Sequence, residues 1–202
     1  MFYDFNIPYQ PNADRASVDK LKLILSRISQ LEPSVVALNQ VIVNDKFHKI
    51  NPISFDPVPH PVTQLTRVTA EFDLSNDTVA ELRSHFDLVA VRPTTAETFV
   101  NACTTLDIDL ISLDCSQRVP FHIDPLHIQE AIRRGIYFEI CYASGIRDNT
   151  ARIYLLQTAK QLVAYTRGQN VIISSEAQVV SEIRAPFDIA NLYVIVHCLN
   201  ID

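Results

Sequence analysis

The sequence predicts a single α/β domain over residues 1–202, with a TIM-barrel-like fold in which parallel strands alternate with helices. Three observations support this prediction: short apolar runs that suit buried strands, helical periodicity between those runs, and the persistence of this alternation along the chain. At 48% hydrophobic residues the chain can bury one sizeable core. About seven strands are expected rather than eight, which indicates a distorted or incomplete barrel. A doubly wound open sheet is the alternative.

The clearest strand–helix–strand segment lies in the middle of the chain. Asp87–Arg92 and Asp109–Asp114 are short apolar runs of the kind that form buried strands. Between them, Thr94–Leu106 places apolar side chains at helical spacing, and Thr94 with Glu97 offers a capping box. Two strands joined by a helix in this way predict a βαβ unit with parallel strands.

The remaining elements follow from the same two periods, with prolines, glycines and polar turns at their ends. Further strands are predicted at Phe2–Ile7, Ser34–Val43, Leu65–Phe72, Ile136–Tyr142 and Asn170–Ser175. Further helices are predicted at Ser17–Leu31, Asp77–Phe86, Asp124 to a left-handed cap at Gly135, Asp148–Arg167 with a cap at Gly168, and Phe187–Leu199. Residues 44–62 are rich in proline and predict one long irregular loop, a kind of segment that is often functional or mobile.

The balance of charges gives mixed indications. The net charge of -6, taken alone, argues against nucleic-acid binding. However, residues 115–184 carry 8 Lys and Arg against 6 Asp and Glu, so the second half of the chain is locally basic. Of the 17 cations 12 are arginines, which suit bidentate contacts with phosphate or carboxylate groups but also serve buried ion pairs.

Composition excludes several classes of site. With 3 glycines, the chain lacks the clustered glycines of a phosphate-binding loop, which excludes Walker and dinucleotide motifs. The four cysteines have no metal-ligand spacing and are expected to be buried, reduced thiols of an intracellular protein: Cys103, Cys115, Cys141 and Cys198. The N-terminus lacks the pattern of a signal peptide, and no apolar run is long enough to cross a membrane.

Two polar groups are candidates for chemistry, and each has a structural alternative. His122 and His127 flank Asp124 and could bind a metal, but their spacing matches no zinc pattern, which favours a solvated turn with an Asp helix cap. Asp4 and Asn6 come at the end of the first strand, where barrel enzymes place their chemistry. A strand-end hydrogen bond is the alternative for these two residues.

A pair of carboxylates, Glu71 and Glu139, could perform acid and base catalysis. The favoured alternative is that they form ion pairs with Arg67 and Arg92 in a polar barrel centre. In that case the carboxylates would serve the structure rather than a reaction.

Six arginines occur in predicted strands or in the loops that follow them: Arg67, Arg92, Arg118, Arg147, Arg152 and Arg184. If the strands are parallel and these residues follow their carboxyl ends, the arginines collect on one face of the barrel. Such a face attracts phosphates and could position an RNA backbone without reading its bases. Ion pairing with nearby acids is the alternative.

Several segments, in the same order and with plausible spacing, resemble one known family. They are FDLVAVRPTT, LDIDLISLD, RRGIYFEICY, IRDNTAR, NVIISSEA and EIRAPFDIANL. The chain resembles, from Phe2 to Leu199, the thirty-kilodalton protein subunit shared by ribonuclease P and ribonuclease MRP. This resemblance implies a TIM-barrel-like fold related to the PHP-type metal phosphoesterases. Those enzymes open with a D-x-H-x-H motif, whereas Asp4–Pro8 lacks both histidines, so no metal and no catalytic residue are expected.

The resemblance implies a non-catalytic role in a ribonucleoprotein, which lies in the nucleus and nucleolus if the source is eukaryotic. In that particle the RNA removes the 5′ leader of precursor tRNA with its own magnesium, so no cofactor is expected of the protein. The implied partners are the catalytic RNA, a small ferredoxin-like subunit and other protein subunits, with ribosomal RNA processing in the MRP particle and no role at a membrane. Relatives usually continue with another helix and often a basic tail, beyond the point where this sequence stops.

The resemblance supports four of the arginines more than the other two. Arg92, Arg147, Arg152 and Arg184 lie within matching segments, whereas Arg67 and Arg118 are supported by position alone. Two rival hypotheses remain. One is a PHP-like phosphoesterase that binds a metal through Asp4, Glu71, Glu139 and His122. The other is a small-molecule barrel enzyme, which would have a closed apolar pocket in place of an open arginine face.

Overall fold

Seven parallel strands form one sheet in the computed structural model, which describes the backbone of residues 1–198 and the side chains of residues 1–192. The strands are β1 (Phe2–Pro8), β2 (Ser34–Ile42), β3 (Val62–Ala70), β4 (Leu88–Val91), β5 (Leu110–Ser112), β6 (Tyr137–Cys141) and β7 (Val171–Ser174). Their order in the sheet follows their order in the chain, and each neighbouring pair is parallel. In a doubly wound sheet the order of the strands across the sheet reverses at a switch point. The order observed here has no such reversal, so it confirms the barrel.

The two edge strands approach each other and nearly close the barrel. The Glu176 N–H, just after β7, donates to the Asn6 carbonyl of β1 at 3.0 Å. The Ser175 N–H donates to the Asp4 carboxylate, also at 3.0 Å. The seam is therefore made by a few bonds at the carboxyl ends of the strands. This is the incomplete barrel that the count of predicted strands indicates.

Helices cover the outside of the barrel. They are α1 (Arg15–Ser29), α2 (Asn76–His85), α3 (Ala96–Thr104), α4 (Pro125–Arg133), α5 (Ala143–Arg147), α6 (Asn149–Thr166) and α7 (Pro186–Cys198), with a 3₁₀ turn at Val180–Glu182. Residues 43–61, between β2 and β3, contain no helix or strand. This segment packs against the domain, because Phe47 contacts the Phe86 ring at 5.6 Å and the Gln64 amide bonds both backbone groups of Ile53.

Most helix ends match the sequence signals, but the start of α3 does not. Asp124 caps α4 through the Leu126 N–H at 2.8 Å, and Gly135 has the left-handed φ of +82° that suits glycine. The predicted capping box of Thr94 with Glu97 is wrong. The extended backbone that an N-cap needs occurs one residue later, at Thr95, which exchanges hydrogen bonds with Thr98.

The apolar core lies between the sheet and the helices, whereas the barrel interior is polar. On β3, for example, Val68 and Ala70 contact the outer core, while Arg67 and Thr69 point inward, as alternation along a strand requires. Buried polar side chains from five strands share this interior: Asp4, Asn6, Asn39, Arg67, Thr69, Ser112 and Glu139. The sequence therefore concentrates hydrogen-bonding groups at the barrel axis.

Three cysteines are buried free thiols, as predicted: Cys103, Cys115 and Cys141. Burial raises the pKa of the Cys103 and Cys115 thiols to about 12, which makes both unreactive. Cys198 and Leu199 lie outside the side chains that the structure describes. Within the described part of the chain, no helix combines the length and the apolar character needed to cross a bilayer.

Candidate functional site

An ion pair spans the barrel interior between β3 and β6. The Arg67 guanidinium donates to both carboxylate oxygens of Glu139, at 2.6 and 2.7 Å, and neither side chain has exposed surface. Arg67 also donates to the Phe5 carbonyl at 2.6 Å and to the Thr69 hydroxyl at 3.2 Å. Because these bonds join β1, β3 and β6, the pair cross-links the barrel from inside.

A chain of neutral side chains extends this network to β2. The Thr69 hydroxyl donates to the Asn39 side-chain oxygen at 2.8 Å, and the Asn39 amide donates to the Asn6 side-chain oxygen at 2.8 Å. The Asn6 amide in turn donates to Glu139 at 3.2 Å. Sequence reasoning did not identify Asn39 and Thr69 as members of this network. The signal that could have identified them is a polar residue within a buried strand.

The two buried carboxylates of the interior differ in pKa. Burial alone would raise the pKa of Glu139, but the charge and hydrogen bonds of Arg67 overcome it and lower the pKa to about 2. Asp4 has no such cation, and burial raises its pKa to about 6 even though the Ser175 N–H bonds one oxygen. Its other oxygen, Oδ2, is buried without a hydrogen-bond partner.

This geometry contradicts the phosphoesterase hypothesis. The Arg67 guanidinium bonds both oxygens of Glu139, and its positive charge opposes the binding of a metal ion at that carboxylate. Glu71 instead contacts Arg92 at the barrel mouth, and His122 is exposed in a loop outside it. Among the described residues, no group of three or more His, Cys, Asp and Glu could hold a metal ion.

At the carboxyl ends of the strands, Arg92 forms a second set of ion pairs. Its guanidinium contacts Glu176 at 2.7 Å and Glu71 at 3.4 Å, and the side chain is 14% exposed. Burial opposes the charge on Arg92, but the two carboxylates raise its pKa above the ordinary value. The predicted alternative, in which Glu71 and Glu139 pair with Arg67 and Arg92, is therefore confirmed, although Glu71 and Arg92 meet at the barrel mouth and not at its centre.

The structure separates the six predicted arginines into different environments. The prediction of an RNA contact is wrong for Arg67, because its guanidinium has no exposed surface. Arg147 contacts Glu182 at 3.1 Å and is partly exposed, while Arg118 is exposed in the loop after β5. For Arg92, Arg118 and Arg147, the contact with RNA stays a prediction.

Arg152 and Arg184 form a pair on the face at the carboxyl ends of the strands. Arg152 donates from Nε to the Gly145 carbonyl at 2.8 Å, and Arg184 donates from Nη1 to the Ser181 carbonyl at 2.8 Å. Both line one cavity of about 560 Å³ between α5, α6 and α7. Asp188 lines the same cavity, but neither arginine is ion-paired with a carboxylate in the described part of the chain, so both can still bind an anion.

The position of Arg152 depends on α5, which sequence periodicity did not reveal. α5 has five residues, too few for a helical pattern to appear. A Cβ on Gly145 would lie 3.4 Å from the Arg152 Cα and 2.6 Å from the Leu155 side chain. A residue without a side chain therefore lets α6 approach α5 closely enough for the bond from Arg152 to the Gly145 carbonyl.

The fold and site together define a class of protein: a parallel α/β barrel whose interior is closed by its own ion pairs, with arginines on the face where barrel enzymes carry out chemistry. The model of the family RNase P subunit p30 matches residues 1–199. The ribonuclease P protein subunit p30 of Mus musculus is 35% identical over 190 residues, which cover 85% of this chain and 70% of the mouse protein. The chain belongs to the RNase P subunit p30 family. Its function is that of a non-catalytic protein subunit of ribonuclease P, whose catalyst is the RNA.

Further comparisons agree with the family and the fold. The probable ribonuclease P protein subunit 3 of Schizosaccharomyces pombe is 30% identical, with 95% of this chain and 83% of that protein covered. A chain in the cryo-EM structure of archaeal ribonuclease P with mature tRNA superposes with a TM-score of 0.69 at 17% identity, covering 98% of this chain and 87% of that one. The zinc-containing histidinol phosphate phosphatase of Lactococcus lactis gives 0.50 at 8% identity, with coverages of 100% and 95%. These two likenesses show the fold alone, the predicted TIM-barrel-like one.

Proposed function

We propose that the chain supports the RNA of ribonuclease P by binding its phosphate backbone through arginines at the carboxyl ends of the barrel strands. The observation that carries the proposal is the bonding of Arg152 and Arg184, whose hydrogen bonds go to backbone carbonyls. A guanidinium has five N–H donors, so one bond to a carbonyl positions the group and leaves other donors for a phosphate. Arg147, on neighbouring α5, is a third partly exposed cation, but it is ion-paired with Glu182 at 3.1 Å and ranks below the other two.

The neighbouring acids explain why these arginines are stronger candidates than Arg92. The Arg92 charge is balanced by two carboxylates, so a phosphate would have to compete with Glu71 and Glu176. Arg152 and Arg184 form no ion pair with a described carboxylate, although Asp188 lines the same cavity. We therefore rank them as the main phosphate contacts, with Arg92 as a support of the barrel mouth.

Protein partners are the second part of the proposal, because the net charge of -6 opposes binding to RNA by overall attraction. The cavity beside Arg152 and Arg184 also has an apolar wall, which includes Leu155, Leu156 and Ile189. We propose that other subunits of the particle, including a small ferredoxin-like one, bind this chain. The relatives in mouse and fission yeast support a nuclear particle, and we extend the proposal to the nucleolus and to ribosomal RNA processing by ribonuclease MRP.

No cofactor is assigned to the chain in this proposal, and magnesium belongs to the RNA. The support for this assignment is the Arg67–Glu139 pair, in which a fixed cation already neutralises the Glu139 carboxylate of the barrel interior. Addition of a chelator should therefore leave the thermal unfolding of the isolated protein unchanged. A lower melting temperature in chelator would contradict this assignment.

The test of phosphate binding is the salt dependence of RNA affinity for the variant Arg152→Ala/Arg184→Ala. Each lost phosphate contact should lower the slope of log K against log salt by about 0.7 to 0.9, so the double variant should lose about 1.4 to 1.8. Filter binding to ribonuclease P RNA over a range of salt concentrations measures this slope. Arg133→Ala is the matched control, since Arg133 is 73% exposed at the opposite end of the barrel. A double variant with the wild-type slope would contradict the proposal.

A further inference from the structure

A second large cavity lies outside the barrel, between the loop that follows β5 and one face of α6. Its volume is about 640 Å³, and ligand sites commonly measure roughly 300 to 1,000 Å³. It exists because α4 has 9 residues and α6 has 18, so α4 reaches along only about half of its neighbour. Gln129 of α4 bonds the Tyr165 carbonyl near the end of α6, which leaves the first half of α6 to the loop.

The lining of this cavity combines a cation, aromatic rings and side-chain amides. It includes Arg118, Phe121, His122, Tyr154, Gln157 and Gln161. The last three occupy one face of α6, at positions i, i+3 and i+7. Arg118 carries the only full charge among the described lining residues, and it forms no hydrogen bond or ion pair with the described part of the chain. Its donors are therefore free for an anionic ligand.

The loop wall of the cavity is held in place by the core. The Phe121 ring contacts the buried Phe99 ring at 5.2 Å, and Ile123 is 1% exposed. Asp124 then caps α4 at 2.8 Å and fixes the end of the loop. The cavity is therefore preformed, so a ligand would not have to order this wall when it binds.

We propose that this cavity binds one nucleotide of a single-stranded RNA segment. The Arg118 guanidinium contacts the phosphate, the base stacks on the ring of Tyr154 or His122, and the amides of Gln157 and Gln161 bond the base edge. Single-stranded RNA is recognised by this combination of stacking and edge contacts. An apolar ligand is disfavoured, because it would bury the glutamine amides and the Arg118 charge without hydrogen-bond partners. The proposal rests on the RNA-binding function proposed above and adds a place where a base is held.

The first test measures the affinity of the full chain for a single-stranded RNA oligonucleotide by fluorescence anisotropy. Loss of one stacked base costs about 1 to 3 kcal/mol, so Tyr154→Ala should weaken binding by roughly 5- to 150-fold, while Tyr154→Phe keeps the ring and the affinity. Arg118→Ala should lower the salt slope by about 0.7. Tyr137→Ala and Arg133→Ala are the controls, because both residues are exposed at the opposite end of the barrel.

A second measurement locates the base within the assembled particle. Ribonuclease P RNA that contains 4-thiouridine should form ultraviolet cross-links to residues 118–123 or to Tyr154, and Arg118→Ala should reduce their yield. The cavity proposal would be overturned if Tyr154→Ala and Arg118→Ala both kept wild-type affinity and the cross-links were confined to the region of Arg152 and Arg184. That result would leave the proposed function intact. Absence of any RNA binding by the wild-type chain, alone and in the particle, would overturn both.

Discussion

The buried Arg67–Glu139 pair gives the most demanding prediction. Glu139→Gln keeps the shape of the side chain but removes its negative charge, which leaves the Arg67 guanidinium charged in an interior without exposed surface. Opposite charges about 4 Å apart interact by about 4 kcal/mol at an effective dielectric constant of about 20. Breaking a buried pair by removing one partner costs about 3 to 5 kcal/mol. Since domains are stable by about 5 to 15 kcal/mol, the variant should lose a large part of its free energy of unfolding.

Urea unfolding followed by circular dichroism provides the measurement, on the wild type, Glu139→Gln, Arg67→Met and Arg67→Met/Glu139→Leu. The double variant removes both charges, so its loss should be smaller than the sum of two single losses by more than about 1 kcal/mol. It will not be zero, because the Phe5 carbonyl and the Thr69 hydroxyl also lose contacts with Arg67. A loss below about 1 kcal/mol in Glu139→Gln would refute the assignment of a buried, charged pair.

Two further predictions concern Asp4 and the start of α3. Burial raises the folded-state pKa of Asp4 from 3.8 to about 6, so the folded chain binds the proton more tightly. The unfolding free energy of the wild type should therefore fall relative to that of Asp4→Asn as pH rises from about 4 to 6, by up to about 3 kcal/mol; parallel curves would contradict this. Thr95→Ala should lower the free energy of unfolding by about 1 kcal/mol through loss of the N-cap, as measured by urea unfolding. Thr94→Ala is the neighbouring control. Equal losses in the two variants would count against the observed cap.

Most strands could be predicted from sequence because they are short apolar runs between residues that end them. The alternation of Arg67 and Thr69 with apolar neighbours on β3 also indicated that both side chains share a face. The alternation could not show whether this shared face points into the barrel or outward, because one side of the sheet becomes an interior only when the barrel closes. The sequence therefore leaves two positions for Arg67, an open arginine face or an ion pair at the barrel centre, and the structure shows the second.

The candidate site was predicted in part for a similar reason. Arg152 and Arg184 could be placed after strand ends, but their carbonyl partners at Gly145 and Ser181 depend on how α5 and the loop after β7 turn in three dimensions. The cavity beside Arg118 depends on the different lengths of α4 and α6, which become neighbours only when the barrel forms. Local sequence patterns predict the strands and helices, whereas the contacts between elements that are distant in sequence can be read only from the folded structure.

The central claim is that the barrel interior supports the structure, while the outer arginines serve the RNA. The most direct test is precursor tRNA 5′ cleavage by the reconstituted ribonuclease P that contains Arg67→Met/Glu139→Leu, at a temperature where this variant is folded. We expect a cleavage rate within about twofold of the wild-type particle, since the interior pair contacts no RNA. A fall of a hundredfold or more, with the variant folded and bound in the particle, would contradict the claim and place the interior pair in the reaction.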